Sequence, residues 1–316
     1  MSRSLIPRIR DRAPARLLGA RLPRSVPASR VADVPGPTAQ PPGADCPLEY
    51  LRVPVSGGRT MHVTIFGPKD GIPTVALHGL GGSTEQNLPA LEAVAKNYGL
   101  RTYAIDLPNH GRSSTVGLFE FRVRHFSNLI LEAVQALEIE TTVIFGHSFG
   151  GQLAALVAEG ISADSLQPIF INPALGAPWD LKLRLCWRRP WRFFKLVEEL
   201  GYNDGNVARS ELYHAGLLLR SIVDMFRDRD LRPYRRLQAT MALLLNRDTA
   251  SILGRLMLRG IQPVIVQGAL DRSTPAADGV HFVDGFHSWL QEASGPQALL
   301  AALNELFPGP LRTGVR

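Results

Sequence analysis

Ser148 stands in Gly146-His147-Ser148-Phe149-Gly150-Gly151, directly after the apolar run Thr142-Val143-Ile144-Phe145 and before an Ala/Leu-rich helical pattern. A strand that turns at once into a helix forces the residue at the turn into strained backbone angles, and small neighbours let the chain pass close to itself. Such a turn presents a hydroxyl at the C-terminal edge of a sheet. It also aims the free N–H groups of the following helix, over about 150–160, at negative charge developing there. The chemistry this suits is attack by an activated oxygen. Other segments bring matching groups to strand ends. The buried run 263–267 leads into Gly268-Ala269-Leu270-Asp271, a carboxylate just past a strand, and 280–283 leads into Asp284-Gly285-Phe286-His287, an imidazole in the same position. The short strand 73–77 runs into His78-Gly79-Leu80-Gly81-Gly82-Ser83, a glycine-rich turn able to point backbone N–H groups inward. The N–H groups of Leu80 and Phe149 are assigned as oxyanion donors, with Gly81 the fallback for Leu80.

The elements that must position these groups follow from periodicity. Residues 50–55 and 61–66 alternate and are joined through Ser56-Gly57-Gly58, which predicts an antiparallel hairpin at a sheet edge. Leu91, Val94, Ala95 and Tyr98 form a helical stripe closed by Gly99, followed by a strand over 101–105. Phe126, Ile130, Val134 and Leu137 make a second stripe before a strand over 141–145. A strand over 168–171 follows the serine helix, and Leu299, Leu303, Leu306 and Phe307 supply a last helix stopped by Pro308. This alternation predicts an α/β fold with a mostly parallel sheet covered on both faces.

The order Ser148, Asp271, His287 along the chain resembles the α/β-hydrolase family, over about residues 48–308. Asp106-Leu107-Pro108-Asn109-His110-Gly111-Arg112-Ser113 looks like that family's loop after the second parallel strand. The resemblance implies a triad. His287 takes the Ser148 proton during attack on a carbonyl and returns it to the leaving group. Asp271 fixes the imidazole tautomer and stabilises the imidazolium. Some relatives carry the acid after the preceding strand, where this chain has Asn172, which cannot ionise. His281 is a rival base inside a strand, and Asp284 a rival acid in a turn. His78, His110 and His147 are expected to shape loops or line the pocket, and Asp106 and Arg112 to pin loops. The chain departs from the family between Asp271 and His287, which are sixteen residues apart. The usual helix is missing there, leaving 273–278 as a direct crossing.

About ninety mostly helical residues separate the strand at 168–171 from that at 263, more than one crossover needs. The surplus, 174–244, resembles the family's cap, inserted into a core of 46–173 and 245–316. Within it, six cations interleave with aromatics and leucines from Leu181 to Lys195. The preferred expectation is a cap helix with outward arginines. A membrane-surface contact is disfavoured by Pro190, which breaks the amphipathic pattern, and an anionic substrate such as an acyl-CoA is a third reading.

Composition narrows the function classes. Residues 1–45 carry eight arginines against three aspartates, five of the seven net positive charges, so the body is close to neutral and gives no support to nucleic-acid binding. This Arg/Pro/Ala-rich leader reads as a disordered tail, with an organelle transit peptide as the alternative in a eukaryote. No apolar run approaches the roughly 20 residues that span a bilayer, and a cytoplasmic protein is expected. Cys46 and Cys186 have no metal-ligand or redox spacing. No nucleotide or phosphate motif competes, so neither cofactor nor metal is expected. Together these imply a serine hydrolase acting on a small-molecule carboxylic ester or thioester through an acyl-enzyme. The alternatives are carbon–carbon bond hydrolysis of a diketone-like substrate by the same triad and a non-catalytic ligand-binding homologue. Nothing in the sequence specifies an oligomeric state.

Overall fold

The computed structural model describes residues 48–117, 119–161, 166–188, 232–271, 273–276 and 279–307. The basic leader and residues 189–231 of the expected cap lie outside the described residues. Eight strands, β1 (Glu49–Val55), β2 (Arg59–Phe66), β3 (Ile72–Leu77), β4 (Leu100–Ile105), β5 (Val143–His147), β6 (Gln167–Ile171), β7 (Val264–Gly268) and β8 (His281–Val283), form one sheet in the order β1-β2-β4-β3-β5-β6-β7-β8. The β1/β2 hairpin and the β2/β4 pair are antiparallel, and every pair from β4 to β8 is parallel.

Strand alternation sends successive side chains into two separate cores. Val75, Leu77, Ile144, Phe170 and Ile265 face one core, where they meet α2 (Val123–Ala136), α3 (Phe149–Gly160), α4 (Ala177–Trp187), α5 (Arg232–Leu245) and α6 (Thr249–Leu258). Ala76, Val143, Phe145, Ile169, Ile171 and Val266 face the other, covered by α1 (Thr84–Tyr98) and α7 (Gly295–Leu306). The sheet is therefore α/β and covered on both faces, with helices at the positions of the predicted apolar stripes. Gly99 closes α1 in the left-handed region, φ +65°, and its N–H bonds Ala95 O.

Several strand boundaries lie one or two residues from their sequence expectation, and one shift has a clear cause. The strand predicted over 141–145 runs from Val143 to His147, because its ladder with β6 continues to the pair His147↔Ile171. Gly-His has no apolar or β-branched signal, so only the neighbouring strand reveals that it is extended. The β7 to β8 crossing is as short as the sequence implies: residues 269–280 join two parallel strands, and no helix occurs among the described residues of that segment.

Of the predicted cationic segment, residues 181–187 lie in α4, where Leu183 and Cys186 are buried and Leu181, Arg184 and Leu185 are exposed. The rest, beyond Arg188, lies outside the described residues. No helix among the described residues is long and apolar enough to cross a membrane.

Two helix starts are held by buried carboxylates from elsewhere in the chain. Asp106 Oδ1 accepts from Thr84 N at 2.9 Å at the start of α1. Asp180, in α4, accepts from Thr249 N at 2.9 Å, Thr249 Oγ1 at 2.8 Å and Ala250 N at 2.9 Å at the start of α6. Each satisfies N–H groups that have no acceptor within the helix and sets negative charge at the positive end of its dipole. Asp180→Ala strands those donors in a buried place and is expected to lower stability by about 2–3 kcal/mol. Denaturant titration reads this directly, and a loss below about 0.5 kcal/mol would remove Asp180 from that role.

Candidate active site

The site is built on the turn between β5 and α3. Ser148 sits there at φ +52°, ψ −117°, a conformation that costs a side-chain-bearing residue of order 1–3 kcal/mol. The neighbouring strand end holds it in place: Ser148 N donates to Ile171 O at 2.9 Å, and Ser148 O accepts from Ala174 N at 3.2 Å and Gly151 N at 3.0 Å. The flanking glycines are steric necessities. A Cβ on Gly146 would lie 2.6 Å from the Gly151 Cα, and one on Gly150 would strike the carbonyls of Leu77 and His78.

His287 and Asp271 complete a line with this serine. His287 Nε2 is 2.8 Å from Ser148 Oγ, and His287 Nδ1 is 2.9 Å from Asp271 Oδ2. Since an ionised carboxylate only accepts, Nδ1 carries the proton and the Nε2 lone pair faces the serine hydroxyl. The Asp271 side chain is fully buried, while His287 keeps 15% of its side-chain surface exposed. Asp271 also accepts from Gln267 Nε2 at 2.7 Å, Thr274 Oγ1 at 2.6 Å, Ser273 N at 2.7 Å and Thr274 N at 3.2 Å. Burial alone would raise its pKa, but the hydrogen bond and charge of His287, with the Thr274 donors, outweigh burial and hold it below the ordinary carboxylate value. The loop's next carbonyl, Ser273 O, accepts from Lys182 Nζ of α4 at 2.8 Å.

The two rival groups lie differently. His281 is in β8 with Nε2 3.8 Å from Glu305 of α7, and Asp284 is exposed in the turn beyond that strand.

The glycine-rich turn after β3 is fastened by two histidines. His78 Nδ1 donates to Gly79 O at 2.8 Å, which leaves Nε2 to accept from Leu107 N at 3.0 Å. His110 Nδ1 donates to Pro108 O at 2.9 Å, and its Nε2 accepts from Gly81 N at 3.0 Å. The bond to His110 occupies the Gly81 N–H, the fallback oxyanion donor. Phe149 is the first residue of α3, where N–H groups lack intrahelical acceptors. Its ring is buried edge-on against Phe126, at 6.1 Å between centroids. Asp106 Oδ2 accepts from Arg112 N at 2.9 Å, and the Arg112 guanidinium reaches Glu85 at 2.9 Å.

Sequence reasoning missed three contributors. Gln267 was hidden inside an apolar strand, although a polar residue four positions before the carboxylate in a buried run is itself a signal. Thr274 carried no pattern. Asn172, considered only as a place where an acid could stand, donates Nδ2 to His287 O at 2.6 Å. His147, beside it, donates Nε2 to the same carbonyl at 3.1 Å. Among the described residues, no three His, Cys, Asp or Glu side chains are grouped so as to hold a metal ion.

Burial holds His78 and His147 neutral: it drives their pKa values down to about 3 and about 4, with His110 and His287 respectively the next contributors. Unfolding releases both rings to water, where they protonate near pH 6.5. Below that pH the unfolded chain binds more protons than the folded one, so this contribution is complete above pH 6.5 and lost as pH falls toward 4. The protein is expected to be about 2–4 kcal/mol less stable at pH 5 than at pH 7 in denaturant titrations. His147→Gln, which keeps an N–H donor, should flatten part of that slope. An unchanged stability across the interval would mean that the two rings do not stay neutral.

Comparison with known proteins gives a consistent picture. A family model described as alpha/beta hydrolase fold matches residues 73–194. A candidate non-heme haloperoxidase from Mycobacterium phage D29 is 27% identical over 285 residues, covering 84% of this chain and 99% of that protein. An sn-1-specific diacylglycerol lipase from Xenopus tropicalis is 30% identical over 114 residues, 35% of each chain. Among solved structures, a bromoperoxidase from Bacillus anthracis superposes with a TM-score of 0.56 at 16% identity, covering 81% of this chain and 100% of the other.

Proposed function

The chain belongs to the α/β-hydrolase fold superfamily, and we propose that it is a serine hydrolase cleaving a carboxylic ester or thioester through an acyl-enzyme. What carries this proposal is the unbroken hydrogen-bond chain from Ser148 Oγ through His287 to the buried Asp271, at 2.8 and 2.9 Å. As Oγ attacks the carbonyl carbon, His287 Nε2 takes its proton, and Asp271 stabilises the imidazolium without itself being protonated. The carbonyl oxygen gains negative charge, for which the N–H groups of Leu80 and Phe149 are the donors in this reading. His287 then protonates the departing alkoxide or thiolate. Water attacks the acyl-enzyme by the same route in reverse, with His287 as base. The lipase among the relatives is compatible with an ester substrate, and the residues corresponding to 174–244 would select the acyl or alcohol portion.

The test is labelling of purified protein with a fluorophosphonate and hydrolysis of nitrophenyl esters from acetyl to palmitoyl. Ser148→Ala should abolish labelling and reduce turnover by about 10⁴-fold or more. Asp271→Asn should cost about 10⁴ in kcat by destabilising the productive tautomer, whereas Asp284→Asn should stay within about threefold of the wild type. A folded protein that neither labels nor turns over ester would point instead to a ligand-binding homologue.

A further inference from the structure

Asn172 directly follows β6 at φ +44°, a left-handed conformation that asparagine tolerates better than most residues, and it is fully buried. Its hydrogen bonds run to the segment bearing Asp271 and the segment bearing His287. Its backbone N–H donates to Val266 O at 2.9 Å, and the Thr274 hydroxyl, which also reaches Asp271, lies 3.1 Å from its carbonyl oxygen. Side-chain Oδ1 accepts from Gly268 N at 2.7 Å and from Trp289 Nε1 at 3.3 Å. Side-chain Nδ2 donates to His287 O at 2.6 Å and to Phe286 O at 3.3 Å. Two donors face the oxygen and two carbonyls face the nitrogen, so the amide orientation is fixed by its partners and its hydrogen-bonding capacity is used up.

The geometry points to Asn172 as a positioning residue for His287, an assignment that rests on the hydrolase function proposed above. The physical need comes from the direct crossing between β7 and β8. Where a connecting helix would pack the histidine segment against the sheet, this chain has twelve residues and a three-residue edge strand. The His287 backbone must be held by something other than a helix. One amide, seated at the adjacent strand end, ties its carbonyl to the end of β7, three residues before the carboxylate. With His147 Nε2 as second donor to the same carbonyl, the distance from the imidazole to Ser148 is set from the backbone side. An aspartate could not take this place at neutral pH, because an ionised oxygen would face two carbonyl oxygens.

Two variants test this. Asn172→Ala should lower kcat about 100-fold, the scale of a misplacement of about 1 Å at a reacting group, with KM changed less than about threefold. In Asn172→Asp the protonated acid can donate to His287 O as the amide does, and the ionised form cannot. Its kcat relative to the wild type should therefore fall as pH rises from 5 to 8, a trend that a merely space-filling role does not produce. If the alanine variant does not fold, the aspartate variant decides. A folded alanine variant with kcat within threefold of wild type, or a flat aspartate-to-wild-type ratio, would overturn the assignment. The low-field proton resonance of His287 Nδ1–H separates this from the hydrolase proposal. Should the wild type neither label nor turn over ester, that proposal fails by itself. Loss or displacement of the resonance in the variants would still support Asn172, and an identical resonance would reject it.

Discussion

Parallel pairing sends the C-terminal ends of β3 to β7 to one edge of the sheet, and each end is followed by a polar loop that the sheet interior could not hold. His78, Asp106, Ser148, Asn172 and Asp271 all occur within three residues of such an end. Chain segments separated by more than a hundred residues are brought to the same edge by the strand ladders and the two cores that cover them. The strained turn at Ser148 is tolerable because its N–H and C=O are both held by the end of β6 and the residues just beyond it.

On that edge, charge is rationed. The side chains of Asp271 and Asp106 are buried, and each is surrounded by donors that satisfy its oxygens. Three of the four histidines in the motif loops and the triad, His78, His110 and His147, are committed to backbone partners. His287 alone is placed between a hydroxyl and a carboxylate. A buried imidazole resists protonation because the interior cannot solvate its cation, so His78 and His147 act as neutral linkers.

Much of this arrangement was legible in the sequence. Runs such as 73–77 and 263–267 are apolar because both faces of a parallel strand are buried, and glycines mark the turns where a Cβ would collide with backbone. Ser148, Asp271 and His287 could be named from their places after such runs. What stayed hidden was held by contacts between segments. Gln267 and Thr274 gain meaning only when a folded loop brings them against the carboxylate. Asn172 looked like an empty acid position because its four side-chain partners, Gly268, Phe286, His287 and Trp289, lie about a hundred residues away. The extension of β5 through Gly146 and His147 was likewise set by its neighbour strand.

Helix α4 fastens two separate parts of the molecule. From adjacent turns, Asp180 anchors the start of α6, and Lys182 holds the Ser273 carbonyl, two residues past the carboxylate. The start of α6 and the loop bearing Asp271 thus depend on the same helix. Exchanging α4 would therefore loosen both the α6 terminus and the loop whose carboxylate meets His287. A grafted replacement would have to supply its own acid for the α6 terminus and its own cation for the Ser273 carbonyl.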